Sequence, residues 1–327
     1  MPEHAHGASA FPTEAVVVGL AVVLAVSGLV AGRRQEARGG WPRRRTVLWL
    51  TGLAAAVAGA LGPTALTDDP DLPVHMVGHL LLGMVAPLLL VLSAPVTLAL
   101  RSLDVVPARR LAAVLRTPPV RVLAHPVVAA ALNVGGLWLL FTTDLWAASH
   151  DAPLVALVVS AHVLGAGCLL TASLVGVDPD RHRASFALRS VVAVAALAAH
   201  DVLAKHLFAH PPVGVPVAEG ELGALVMYHG GDLVDLALLV VLWAQWHRRR
   251  GARLARAGGA ARGGAGTRTG TVRSSGACTI LPCSPIALFP ISYRADLRPL
   301  SHYSHARPIA EALHRLRRRK FEAAARQ

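Results

Sequence analysis

Charge is what this sequence has least of. Only 16 % of its 327 residues are Asp, Glu, Lys or Arg, against roughly a quarter in ordinary soluble chains. Apolar residues make up 54 % and the mean hydropathy is +0.51. That balance excludes a typical soluble domain and reads as an integral membrane protein. Cysteine is scarce too: Cys168, Cys278 and Cys283 are the three present, and no CxxC occurs, so no disulfide framework is expected. Cys278 and Cys283 read as unpaired thiols of a cytoplasmic tail. A phosphate-binding loop, a GxGxxG after a strand and a GxSxG are all absent, so nothing marks nucleotide or serine-nucleophile chemistry and the expectation is a protein that is not an enzyme.

The charge that is present is unevenly placed. Residues 251–327 hold 14 of the 32 Lys and Arg and only 3 of the 19 Asp and Glu. The overall charge of +13 therefore belongs mainly to a basic tail, which points to anionic lipid or a topology signal and not to nucleic acid. Residues 1–250 read as one transmembrane domain. Residues 251–327 read as a largely disordered cytoplasmic extension, low in complexity from Gly251 onward, with a short basic amphipathic helix toward its end.

What is there is length without charge. Seven apolar stretches fall near 13–31, 46–66, 75–100, 121–142, 153–176, 186–209 and 222–246, each about the 20 residues that cross a hydrocarbon core. The fold expected is an all-α, polytopic bundle of seven spans. The first stretch is followed, not preceded, by its basic residues, so it reads as a retained anchor and not a cleaved signal. Connections one, three and five carry arginines (Arg33 to Arg45, Arg101 to Arg116, Arg181 and Arg183). The second, fourth and sixth, TDDPDLPV, TDLWAASHDA and AHPPVGVPVAEGE, carry neither Lys nor Arg. The positive-inside rule then puts the N-terminus outside and the C-terminus in the cytoplasm.

Ionisable residues inside such spans are costly and usually functional. In PVHMVGHLLLGMVAP, His75 and His79 are four apart and share a helical face, with Met76 at its border and Met84 deeper. Neutral imidazole with thioether is a ligand set suited to cuprous ion. His162, His200, His206 and Met227 fall in the outer halves of later spans, so four helices are expected to aim at one outer region. For His162 an interhelical hydrogen bond stands beside ligation as an alternative. Asp201 and Lys205, at i,i+4, read as an internal ion pair. Tyr228, Asp232 and Asp235 form one polar stripe, beside which Gly230 and Gly231 permit close helix approach. His125, His150, His182, His210 and His247 read as interfacial side chains. Pro87 and Pro95 are expected to bend the third span.

The run HMVGHLLLGMVAPLLLVLSAPVTLALR, followed by LAHPVVAAALN, SAHVLGAGCLLTASLVGVDP, AAHDVLAKHLFA and LGALVMYHGGDLVDLALLVVLWAQWHR, resembles the CtaG-type assembly proteins of caa-type cytochrome c oxidases, over about residues 13–250. His229 departs from it, standing where an aromatic or apolar residue is expected. The resemblance implies a bacterial plasma-membrane protein that partners oxidase subunits, and a copper carrier, in maturing the copper centres. It carries His75, Met76, His79, His162, His200, His206 and Met227 as candidate positions, with copper as the metal handled. Two other classes fit the residues: a b-type haem protein ligated by His162 and His200, and a transporter using Asp201, Asp232 and Asp235, for which no inverted repeat is visible.

Topology is directly testable. A reporter fused after Arg250 is expected to be cytoplasmic and one inserted between Thr67 and Val74 external; the opposite labelling would reverse the orientation and turn the histidine-bearing end inward.

Overall fold

A backbone in hydrocarbon has no water to satisfy its N–H and C=O groups, so apolar runs of this length must bond internally as helices. The computed structural model describes residues 13–37, 40–66, 72–178 and 183–265, and among them there is no strand. Its helices are α1 (Thr13–Ala37), α2 (Arg43–Leu66), α3 (Leu72–Leu80), α4 (Ala86–Leu92), α5 (Pro95–Ser102), α6 (Val105–Val114), α7 (Pro118–Leu123), α8 (Pro126–Thr142), α9 (Leu145–Asp151), α10 (Pro153–Val175), α11 (Phe186–Ala209) and α12 (Val217–Ala265). Among the described residues six units are long and apolar enough to cross a bilayer: α1, α2, the α3–α4 unit, α10, α11 and α12. The pair α8 and α9, bent by 79°, makes a seventh if it counts as one span.

The third span departs from expectation at both prolines. Pro87 lacks an N–H and its ring crowds the carbonyl four residues back, that of Gly83. The chain answers with a π-helical turn over Leu81–Val85 that joins α3 to α4, a widening that takes up the mismatch without breaking the span. Pro95 does end it. The span stops at Leu92, short of residue 100, because Ala94 adopts a left-handed φ of 60° and Pro95 starts a new helix. The fourth span likewise starts at Pro126 and not at residue 121. Thr117 and His125 sit in extended backbone before Pro118 and Pro126, as residues before proline tend to. The third connection is therefore three short helices, α5 to α7, in which Val105, Val106, Val114 and Val122 are exposed beside its arginines.

Small residues set how closely the helices approach, since apolar burial alone does not drive association in lipid. α10 crosses the π-turn at Gly167. A Cβ there would overlap the Gly83 carbonyl and come within 2.8 Å of Pro87 Cγ. α12 packs chiefly against α11 and α3, with Gly230 facing Leu80 and Gly231 facing His200. The core toward the end whose connections lack Lys and Arg holds Leu72, Met76, Phe141, Leu203, Leu207 and Met227, and a second core toward the other end holds Leu174, Val192, Leu238 and Leu242. α1 packs on α2 and α5 and leaves Val16, Leu20, Val23 and Val26 exposed.

Polar bonds tie the arginine-bearing connections together at one end. Gln35 Nε2 donates to the Arg101 carbonyl (2.8 Å), the Thr97 amide and hydroxyl both donate to Asp178 Oδ1, and Gln245 Nε2 donates to the Val175 carbonyl (2.8 Å). Buried Arg189 donates through Nη1 to the Leu174 carbonyl at 2.6 Å, near the C-terminal end of α10. The Asp201–Lys205 ion pair does not form. Among the described residues the ion pair is Arg43 with Glu36, at 3.7 Å, and Lys205 Nζ instead lies 5.3 Å from the Tyr228 ring centroid. Residues 251–265, expected to be disordered, continue α12 as helix; alanine and arginine are strong helix formers and outweigh the glycines between them. His182, Cys278, Cys283 and the rest of the tail lie outside the described residues.

The glycine contact yields a matched comparison on one helix. Gly167→Ala should lower stability in detergent by about 1–3 kcal/mol, the usual cost of overpacking. Gly165→Ala, with nothing within 4 Å of the added carbon, should be neutral or slightly stabilising. Equal unfolding midpoints for the two variants would contradict the close crossing.

Candidate functional site

The i,i+4 spacing on α3 does put His75 and His79 on one face, yet each meets a different neighbour. His79 points into the bundle, where its ring centroid lies 6.2 Å from that of His200 on α11, with the planes 23° apart. Both are buried, at 7 % and 6 % exposure. His79 Nε2 and both ring nitrogens of His200 have no hydrogen-bond partner, an arrangement proteins rarely tolerate without a use, because each unmade bond costs on the order of 1–3 kcal/mol. Gly231 makes room for the pair: a Cβ at that position would lie 2.6 Å from His200 Cε1. His79 and His200 line one cavity with Met84, Asn133, Thr171 and Asp235. Asp235 is itself buried, so the cavity holds one carboxylate, a thioether and two imidazoles.

His75 belongs to a second group nearer the end of the bundle that carries no Lys or Arg in its connections. The bend between α8 and α9 folds Trp146 and His150 over the first turn of α3. The His75 ring lies edge-on to Trp146 at 4.5 Å and 5.8 Å from His150, with Phe141 at 6.4 Å. His150 Nδ1 is 2.9 Å from the Trp146 carbonyl. A carbonyl only accepts, so Nδ1 carries the proton and Nε2 keeps its lone pair.

The remaining candidates go elsewhere. His206 packs against Trp138 at 5.5 Å and stacks on His210 at 4.9 Å. His162 is exposed and its Nε2 donates to the Leu132 carbonyl at 3.2 Å, across from α10 to α8; this is the interhelical hydrogen bond. Met76 and Met227 are wholly buried in the same apolar core as Leu72 and Phe141. His229, the position that departs from the family pattern, is exposed and meets Tyr228 edge-on. The seven candidate residues thus do not converge on one point as expected. Helical spacing says which residues share a face but not how that face is rotated against its neighbours, and the π-turn changes the rotation midway along the span. Among the described residues no three His, Cys, Asp or Glu side chains gather where they could hold one ion; what the fold brings together are imidazole pairs. Spacing passed over His150, Asn133 and Thr171 as site residues. The Trp146/His150 i,i+4 pair was a usable signal for the first, whereas nothing in the sequence singled out the other two.

Comparison with known proteins finds related chains. An uncharacterized protein of Mycobacterium leprae is 27 % identical over 265 residues, and uncharacterized proteins of Mycobacterium bovis and Mycobacterium tuberculosis are each 28 % identical over 262 residues. The alignments cover 72 %, 71 % and 71 % of this chain and 39 % of each relative, so the chain spans about two fifths of the length of the curated relatives it matches. No solved structure matches it. The cytochrome c oxidase caa3 assembly factor family matches residues 25–249, a stretch that contains every described helix bearing a candidate histidine, and the chain belongs to that family.

Proposed function

We propose that this protein assists assembly of cytochrome c oxidase in the bacterial plasma membrane by handling copper for its metal centres, without catalysing a reaction of its own. Family membership supports the oxidase part. The observation that carries the copper part is the buried His79/His200 pair, with three ring nitrogens lacking partners and a thioether on the same cavity wall. Metal–nitrogen bonds of about 2 Å, with ring nitrogens about 1 Å from the ring centre, let two imidazoles share an ion when their centroids are about 6 Å apart. The separation here is 6.2 Å with the rings stacked at 23°, so a shared ion requires the two rings to turn their nitrogens toward each other. A two-imidazole site with a sulfur nearby suits the soft, low-coordinate cuprous ion, and the buried Asp235 carboxyl lines the same cavity. Copper is cargo in this reading, passed between a carrier and oxidase subunits on the outer side of a seven-span bundle whose C-terminus is cytoplasmic.

His79→Ala and His200→Ala should each reduce oxidase copper and activity several-fold while the protein stays at normal membrane levels. His162→Ala, which removes only a hydrogen bond on an exposed face, should leave both near wild type. Full oxidase copper in the first two variants would remove the ligand role, and a haem Soret band in the purified protein would replace it with electron transfer. The membrane domain is proposed to carry this function alone: a chain ending at Arg250 should insert and support assembly, and loss of activity at normal membrane levels would place a partner site beyond it.

A further inference from the structure

We propose that His75 and His150, with the Trp146 indole beside them, form a separate cuprous-ion docking site at the outer mouth of the bundle, which loads the inner His79/His200 pair; the proposal rests on the copper reading above. The geometry repeats that of the inner pair. The His75 and His150 centroids are 5.8 Å apart, again about the 6 Å that two imidazoles sharing an ion require with bonds of about 2 Å. The His150 Nδ1–H is held by the Trp146 carbonyl, as metal-ligating histidines are commonly oriented by a carbonyl on the other nitrogen, and this leaves Nε2 as the free donor. Trp146 lies 4.5 Å from both rings, so its π face or edge borders the space between them, and an indole attracts a weakly hydrated cation.

Access and charge favour loading from this side. His150 is exposed, His75 half-buried and His79 buried, so accessibility falls in order along one line. The described connections at this end contain Asp144, Asp151, Glu219 and Glu221 and no Lys or Arg, a field that draws cations. His75 and His79 are one helical turn apart, about 6 Å between their stems. Movement of the ion from the outer pair to the inner one is then a ligand exchange between imidazoles, in which no oxidation state changes and no proton need be taken up by the neutral rings.

The test is a cuprous titration of the full-length chain in detergent, kept reduced and anaerobic, against a competing copper(I) chelator, with tryptophan fluorescence followed in parallel. The wild type should hold two ions per chain. His150→Ala should hold one; because that residue is exposed, its loss should leave folding intact and so cover the case in which His75→Ala misfolds. His79→Ala should also hold one. Trp146→Phe should bind two but lose the quenching that accompanies the outer ion. Binding of a single ion that His150→Ala does not disturb, or of two ions that it does not reduce, would overturn the docking site and leave the inner copper reading standing. Absence of bound copper from every form would overturn both.

Discussion

Pro87 has no N–H to offer the Gly83 carbonyl, and the consequences of that one missing donor reach most of the bundle. The helix widens into a π-turn over Leu81–Val85, α10 comes in over the turn at Gly167, and the chain above the turn is rotated relative to the chain below it. His79 lies just above this widening and Met84 within it, and both end up on the wall of the same cavity. A straight α-helix would carry Met84 onward along the i,i+4 row and would leave α10 resting on side chains. Pi-bulges are kept mainly where they aim a side chain that function needs, and here the aimed residues are an imidazole and a thioether.

Both ends of the bundle carry ring contacts, Phe186 with Trp243 and Trp246 at the arginine-bearing end, but they differ in the hydrogen bonds that join segments. At the end with arginine-bearing connections, neutral and charged donors are used on carbonyls and on one carboxylate: Gln35, Thr97, Arg189 and Gln245 each bond a group on another segment. That end is fastened. At the other end the contacts are between rings, among His75, Phe141, Trp146 and His150 and again among Trp138, His206 and His210. Ring contacts hold these side chains in place, with His150 Nδ1 committed to the Trp146 carbonyl. A buried imidazole bonded on both nitrogens has no lone pair to offer; His200 is bonded on neither.

Much of the fold was legible in the sequence because the bilayer imposes a length and charges must avoid it. The α10 and α11 boundaries fall within a residue of those read from hydropathy, and Gly230 and Gly231 do admit neighbouring helices as expected. Where reading failed, proline was the cause: an apolar stretch from residue 75 to 100 looks continuous, but Pro95 divides it, and the segment before Pro126 is surface helix. The candidate site was legible in composition more than in arrangement. His75, His79 and His200 were found as members of one group, yet the pairing of His79 with His200, and of His75 with His150, depends on rotation between helices and on the 79° bend after Thr142. Neither leaves a periodic trace. The Asp201–Lys205 pair failed for a related reason, since helical spacing permits the contact but Tyr228 on α12 offers Lys205 another.

The central claim is that the buried imidazole pair binds cuprous ion with few ligands. X-ray absorption on the copper-loaded chain carrying His150→Ala isolates the inner position. The account predicts a cuprous edge with two nitrogen scatterers at about 2 Å, with a sulfur contribution that Met84→Leu removes. A shell of three or four nitrogen and oxygen scatterers, a shell of sulfur alone, or no retained copper would contradict it.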